Sequence, residues 1–333
     1  MMNASEHRRT LVTGGNGFIG SRVVRRLLEE GGHVRCLLRA ESRTERIQSL
    51  PYETALGDVR DSAAVERAVN GCDSVIHLAS PSSWTDINSP VLPDVVVAGT
   101  GHILRAALAR EGVRVVFVSS ATAINGSATP VVHDEESKFT LPLDRYLYPR
   151  VKREAEALCR RASADGLRVV MVNPTEVYGP NDTGMITAGT LADFANSAPA
   201  VVCTGGTSVA HVDDVAEGAV AALDKGRSGE RYILGGENVS VEDLARTTLA
   251  ILGRKPRTLK IPNSLLRFIA RVGPLLRIPL PFNPAVVPYG TLFWYMSSDK
   301  AQRELGVSFR DARSTLADTV RWLREAGHIG QSR

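Results

Sequence analysis

Aromatic residues make up only 5% of the 333 positions, and cysteines number four. Cys36, Cys72, Cys159 and Cys203 lie far apart with no C-x-x-C pair, which excludes a disulfide framework and a cysteine zinc site, and a reducing cytoplasm is the expected setting. No run of about 18 apolar residues occurs, because even the stretch from Ser264 to Tyr295 is broken by Arg267, Arg271, Arg277 and several prolines, so no membrane span is expected. The opening MMNASEHRRT is too short and polar for a signal peptide. Neither charge dominates: 40 basic against 36 acidic side chains leave +4, with the arginines scattered, which gives nucleic acid binding little support. Seven histidines without H-x-x-x-H spacing argue against a catalytic metal, and the lack of a G-x-S-x-G elbow argues against hydrolysis.

What is present is ordinary globular material, 43% hydrophobic and 23% charged, in a chain longer than the usual ~100 to 200 residues of one domain. Short β-branched runs alternate with helical patterns, which predicts an α/β fold: a doubly wound parallel sheet with helices on both faces. The strands are expected at Thr10–Thr13, His33–Leu38, Tyr52–Leu56, Ser74–Leu78, Arg114–Ser119 and Arg168–Asn173. Asp61 reads as a helix N-cap, and Gly31-Gly32 as the left-handed end of the first helix. After Pro174 the rhythm changes to glycine and threonine, and then to a proline-rich apolar stretch over Pro274–Pro288. A dinucleotide-binding domain over residues 1–175 and a smaller, mainly substrate-binding domain over 176–330 are expected.

The sharpest motif is LVTGGNGFIG, residues 11–20. A strand runs into glycines and then into a helix, so that Gly14 can take the turn, Gly17 can let a pyrophosphate approach, and Gly20 can pack helix on strand, with Phe18 and Ile19 opening the helix. The helix N-terminus then faces phosphate. Where an acid would read a ribose hydroxyl, at the tip of the second strand, Arg39 stands instead, with Arg43 close behind, which fits the 2'-phosphate of NADP; Glu41 lies between them. Asp58-Val59, ending the third strand, is placed to reach an adenine, or else Asp58 caps a helix.

Tyr148 and Lys152 in YPRVK lie one helical turn apart, and Ser119-Ser120 ends the strand VVFVSS. A phenol of reference pKa about 10 is a poor acid or base unless an ammonium favours its anion; at about 4 Å such a charge is worth roughly 4 kcal/mol. A serine hydroxyl would hold the substrate oxygen meanwhile. Tyr146 has no Lys one turn on. His77 on a strand reads as a packed core histidine, and His211, before Asp213-Asp214, as part of a helix cap.

Together TGGNGFIG, GDVRD, VFVSSA, NPTEVYGPND, HVDDVA, GERYILGGEN and SDKAQRELG make the chain resemble, nearly end to end, the extended (atypical) short-chain dehydrogenases/reductases of the NAD-dependent epimerase/dehydratase type. The resemblance is strongest to their dihydroflavonol-4-reductase-like and hopanoid-associated sugar epimerase branch. It implies that Ser120, Tyr148 and Lys152 are catalytic and that Lys152 also binds the nicotinamide ribose. It places Leu78, Ala79 and Ser80 by the cofactor's middle and Asn173, Pro174 and Thr175 by the nicotinamide. It also implies that the chain returns to the first domain near residues 209–235. Three positions depart from the family pattern: Val96 where an Asn is usual, Val151 before the Lys, and Ala121-Thr122 where dehydratases carry Asp-Glu, which disfavours elimination.

The expected activity is an NADP(H)-dependent oxidoreductase, with NAD(H) as the alternative cofactor, reducing a carbonyl of a small apolar substrate. Rival readings are an NAD-dependent nucleotide-sugar epimerase and a non-catalytic dinucleotide sensor; a homodimer is compatible with any of them. The apolar substrate is inferred from Phe268, Leu275, Leu276, Ile278, Leu280, Phe282, Val286, Val287, Leu292, Phe293 and Trp294, taken as a pocket wall.

Overall fold

The computed structural model of the chain describes residues 8–330. Seven parallel strands form the central sheet: β1 (Arg9–Thr13), β2 (His33–Leu38), β3 (Glu53–Leu56), β4 (Ser74–His77), β5 (Arg114–Val118), β7 (Arg168–Pro174) and β11 (Arg231–Leu234); the two-residue β6 (Val132–His133) lies in another sheet. Their order is β11-β7-β5-β4-β1-β2-β3. It reverses between β1 and β4, the position where open α/β sheets leave a crevice at the carboxyl ends of their strands.

The helices over this sheet follow from their apolar spacing. In α1 (Phe18–Glu29) Gly20, Val23, Val24 and Leu27 are buried, an i, i+3, i+4, i+7 stripe facing the sheet. Gly31, at φ 82°, supplies the left-handed turn that ends it. Alongside it α6 (Val212–Lys225) covers the same face. The other face carries α2 (Ser62–Val69), α3 (Gly99–Leu108) and α4 (Leu147–Ala164), packed over Val115, Phe117 and Met171. Asp61 caps α2 by accepting from the Ala63 and Ala64 amides, and His211 caps α6 by accepting from Asp213 N, as read from the sequence. His77 is a core histidine: it bridges Thr13 Oγ1 (2.6 Å) and Thr100 Oγ1 (3.1 Å), and burial pulls its pKa down to about 3.

The chain changes sheets at a single residue. After Pro174 ends β7, Thr175 is passed and β8 (Glu176–Tyr178) pairs with β10 (Gly206–His211) of a second sheet that also holds β12 (Glu237–Ser240), β14 (Phe293–Met296) and β6. A third, two-stranded sheet joins β9 (Ala200–Val202) to β13 (Thr258–Lys260). Helices α5 (Ala188–Asn196), α7 (Val241–Ile251) and α11 (Ala312–Glu325) share a separate core with these strands, each fully buried Leu or Val being worth about 1.5 to 3 kcal/mol. Then come α8 (Asn263–Val272), α9 (Val287–Gly290) and α10 (Asp299–Leu305). Among the described residues no helix is long and apolar enough to cross a membrane, and no group of three or more His, Cys, Asp or Glu could hold a metal ion.

The expected first-sheet strands are found to within a residue. Those at Ser74 and Arg114 end one residue earlier than read, although the Leu78 and Ser119 amides still bond to Thr13 O and Val172 O, because the chain turns away into the crevice there.

Candidate active site

The crevice opens into a cavity of about 950 Å³ lined from both sheets. At one end lies the glycine loop. Gly14 sits at φ 71°, and a Cβ there would come within 2.9 Å of Ala79 N; a Cβ on Gly20 would stand 2.0 Å from Gly14 O. Gly17 N donates to Gly14 O (3.0 Å), and Gly17 caps α1 with no side chain, which leaves the first-turn amides of the helix without a side-chain cap at the cavity. The cradle therefore fits a dinucleotide pyrophosphate. Two tethers hold its rim: Asn16 Nδ2 donates to Arg43 O (2.9 Å), and Arg46 donates to Asn16 O, Asn181 O and Thr183 Oγ1. Arg46 carries no sequence motif, and so the sequence passed over it.

Arg39 and Arg43 line this end, exposed, with Arg39 Nε 3.3 Å from Glu41. Asp58 also lines it. Its carboxylate is held below the usual range mainly by hydrogen bonds from Arg60, and Asp61, not Asp58, caps the next helix.

Ser120, Tyr148 and Lys152 meet in mid-cavity. Thr122 N and Oγ1 both donate to Ser120 Oγ (3.2 and 3.0 Å), which leaves the serine proton to point elsewhere. Thr122, standing where dehydratases would have an acid, thus orients the serine. Lys152, one turn beyond Tyr148 on α4, sends Nζ to Val118 O (3.0 Å) and lies 5.6 Å from the centre of the Tyr148 ring. Burial pulls the Lys152 pKa down to about 7, against the attraction of Glu156. Burial likewise pushes the Tyr148 phenol up to about 12, against hydrogen bonds with Ser80 and Ser120. The expectation that Lys152 would draw the phenol down is thus corrected: burial raises the phenol, and the same desolvation lowers the pKa of the Lys152 ammonium. Tyr146 stands at the helix start without a side-chain cap bond; its hydroxyl donates to Pro288 O (3.5 Å) and its ring meets that of Tyr289 edge-on at 5.4 Å.

One placement also needs correcting. Asn173 does not face the cavity. Strand alternation turns its amide to the other side of β7, where it donates to Ser120 O (2.9 Å) and Glu156 Oε1 (2.6 Å). Its neighbours Pro174 and Thr175, like every other residue expected at the cofactor, do line the cavity. Glu156 went unread in the sequence although it follows Lys152 by one turn. It is fully buried and also accepts from Ser119 Oγ (2.7 Å), with Arg160 and Arg231 at 3.4 and 3.5 Å. It thereby ties the Ser120 strand to the Lys152 helix.

The far end of the cavity is apolar. Phe194, Val201, Val241, Leu244, Leu266 and Phe282 contribute to it, with Trp294 and Trp84 around Tyr289. Among the described residues from β8 onward no Lys or Arg lines it; the charged groups are Glu176 and Asp193, both raised in pKa by burial. Glu176 accepts from Tyr178 Oη (2.7 Å). The Tyr289 hydroxyl is buried without a partner among the described residues. Of the expected wall, Phe282, Val286, Val287 and Trp294 line the cavity, Leu292 and Phe293 are buried outside it, Leu280 is half-buried outside it, and Phe268, Leu275, Leu276 and Ile278 face solvent. Composition shows that apolar residues crowd there but not which way each one points.

Residues 10–235 match the NAD dependent epimerase/dehydratase family. The chain belongs to that family. It is 32% identical to a putative dihydroflavonol 4-reductase of Synechocystis over 96% of this chain and 95% of that one. It is 31% identical to a 4-hydroxy-2-methyl-3-oxo-4-farnesyl-3,4-dihydroquinoline-1-oxide ketoreductase of Stigmatella aurantiaca, over 97% and 98%. A solved nucleoside-diphosphate-sugar epimerase from Pseudomonas aeruginosa superposes with TM-score 0.79 at 25% identity, over 97% and 99% of the two chains. With named reductases aligned end to end, the protein is an NAD(P)-dependent oxidoreductase.

Proposed function

We propose that the protein reduces a carbonyl of an apolar substrate to an alcohol, with NADPH preferred, through Ser120, Tyr148 and Lys152. The observation that carries this reading is the division of charge along the cavity. Its cations, Arg39, Arg43, Arg46 and Lys152, all lie at the glycine-loop end or beside Tyr148, and the far end offers two acids, an orphan hydroxyl and an apolar wall. A nucleotide-sugar diphosphate would meet no cation there, which weighs against the epimerase reading. A sensor would have no use for a buried phenol hydrogen-bonded to a serine.

A bound nicotinamide supplies the hydride. Ser120 Oγ, held by Thr122, gives its proton's hydrogen bond to the carbonyl oxygen, and Tyr148, protonated at neutral pH because burial holds its pKa near 12, is the acid that donates to that oxygen as charge develops. The phenolate left behind is then faced by Lys152, whose ammonium gains in stability from the new negative charge. At the far end Glu176 provides a polar contact within apolar surroundings, a composition suited to a mostly hydrocarbon ligand with one or two polar groups. Competition tests this: apolar cyclic ketones and UDP- or dTDP-sugars are compared for NADPH oxidation and thermal stabilisation. Ketone-dependent oxidation is expected. Saturable binding of a nucleotide sugar with no response to any ketone would overturn the proposal.

A further inference from the structure

The segment Leu259–Ile278 has two opposite faces. Inward, Leu266 is 5% exposed and lines the cavity, followed in the chain by Phe282. Outward, Leu259, Leu265, Phe268, Leu275, Leu276 and Ile278 are 49% to 78% exposed, whereas the four other exposed large hydrophobics among the described residues, Leu56, Leu108, Val131 and Val132, lie elsewhere in the chain. The spacing of α8 explains its share: Leu265 and Phe268, at i and i+3, occupy one side of the helix. A tight turn presents the rest. Ile278 N bonds to Gly273 O (2.9 Å) and Arg277 takes φ 55°, a left-handed conformation that costs a bulky residue energy, so that Leu275 and Leu276 stand at the tip.

Along the chain this segment carries charge of one sign, and at its edge Glu242 pairs with Arg246 (2.8 Å) and Lys260 (3.8 Å). From Leu244 to Ser298 the chain has eight Lys and Arg and no Asp or Glu. Arg271 and Arg277 form no ion pair among the described residues, and both are exposed. Exposed leucines rimmed by unpaired cations complement an anionic, partly apolar surface. They do not complement a second copy of themselves: a two-fold contact would set arginine against arginine with no acid in the segment to relieve it.

We propose that this face docks on an anionic lipid surface and that the cavity behind it takes its apolar substrate from the bilayer. The docking stands on the surface alone; the delivery of substrate rests on the ketone reductase reading.

Flotation of the full chain with phosphatidylcholine vesicles, with and without phosphatidylglycerol, tests the docking. Binding is expected only to the anionic vesicles and should weaken with salt. Arg271→Gln with Arg277→Gln should weaken it roughly thirtyfold, and Phe268→Ser with Leu275→Ser and Leu276→Ser should abolish it, while Leu108→Ser on another surface leaves it unchanged. Because the altered side chains are exposed, the melting temperature should hold, which separates lost docking from lost fold. Equal binding to neutral vesicles, binding to neither, or a dimer dispersed by the serine variants would overturn the proposal. For the delivery of substrate, the Arg271/Arg277 variant should slow reduction of a long-chain alkylcyclohexanone dissolved in vesicles and leave reduction of soluble cyclohexanone unchanged. Equal rates on the vesicle-dissolved ketone overturn it. A chain that floats but reduces no ketone removes the reductase reading and leaves the docking standing.

Discussion

The two ends of the cavity are built on different principles. At the glycine-loop end, specificity is carried by backbone: the absence of side chains at Gly14 and Gly20, where a Cβ would strike Ala79 N and Gly14 O, and the amides opening α1. At the far end it is carried by the shapes of side chains gathered from β8, α5, α7, α8 and the residues around Tyr289, with few polar groups. A backbone site tolerates almost no change at its glycines. A side-chain site can be reshaped one residue at a time, so the second end is where the substrate choice of this chain is expected to be set.

The sharpest way to separate the two ends is at their junction. Tyr148→Phe removes only a proton from an otherwise similar ring, so turnover should fall by roughly a thousandfold while dinucleotide affinity and melting temperature hold. Wild-type turnover in this variant, together with its loss in Tyr146→Phe, would move the acid to the other tyrosine. Next, Gly20→Ala places a methyl 2.0 Å from Gly14 O, a clash with rigid backbone. Dinucleotide affinity should drop by roughly a hundredfold or more, about the loss of two good hydrogen bonds to a charged ligand, and calorimetric titration would read it.

Arg39→Ala should cost NADPH roughly tenfold to a hundredfold and NADH little, because a charge-assisted contact to the extra phosphate is what is lost. Since Arg39 is shared with Glu41 at 3.3 Å, Glu41→Ala should move the preference the other way, further toward NADPH. Equal affinities of the wild type for both nucleotides would remove the assignment of Arg39.

The smallest expected effect is a shift of the pH profile. Lys152, lowered from 10.5 to about 7, is charged below that pH and neutral above it, so kcat/KM should fall as pH rises past about 7 if its ammonium is needed opposite the phenolate. Glu156 acts to raise that pKa, so Glu156→Gln, which keeps the shape and removes the charge, should move this limb to lower pH. A purely structural Glu156 would lower the melting temperature and leave the limb in place.

Most of the first sheet was legible because its signals are local. Strands of four to seven mostly buried residues, a helix with a four-residue apolar stripe and a left-handed glycine at its end can each be read within a dozen positions. The short strands β8 to β10 and β12 to β14 were not, since three to six residues with half-exposed neighbours make no period of their own and are held by pairing partners as distant as Thr207 and Trp294. The same contrast divides the site. Gly14, Gly20, Tyr148 and Lys152 belong to patterns whose spacing has a chemical reason. Arg46, Glu156, Glu176 and Tyr289 do not, and only the fold brought them to the cavity or to its supports.

By itself the sequence determined six of the seven strands of the first sheet, the turn that can admit a pyrophosphate, and the pairing of Tyr148 with Lys152 on one helical face, because these depend on backbone sterics and helical period, which act over a few residues. Tertiary structure decided how strongly each group holds its proton, since desolvation is a property of the whole surroundings and raises the Tyr148 phenol while it lowers Lys152. It also decided which apolar side chains of Leu265–Tyr295 became wall and which became surface. Leu266 and Leu265 are adjacent and chemically identical, and only the packing of α8 against the cavity sends one inward and leaves the other facing solvent.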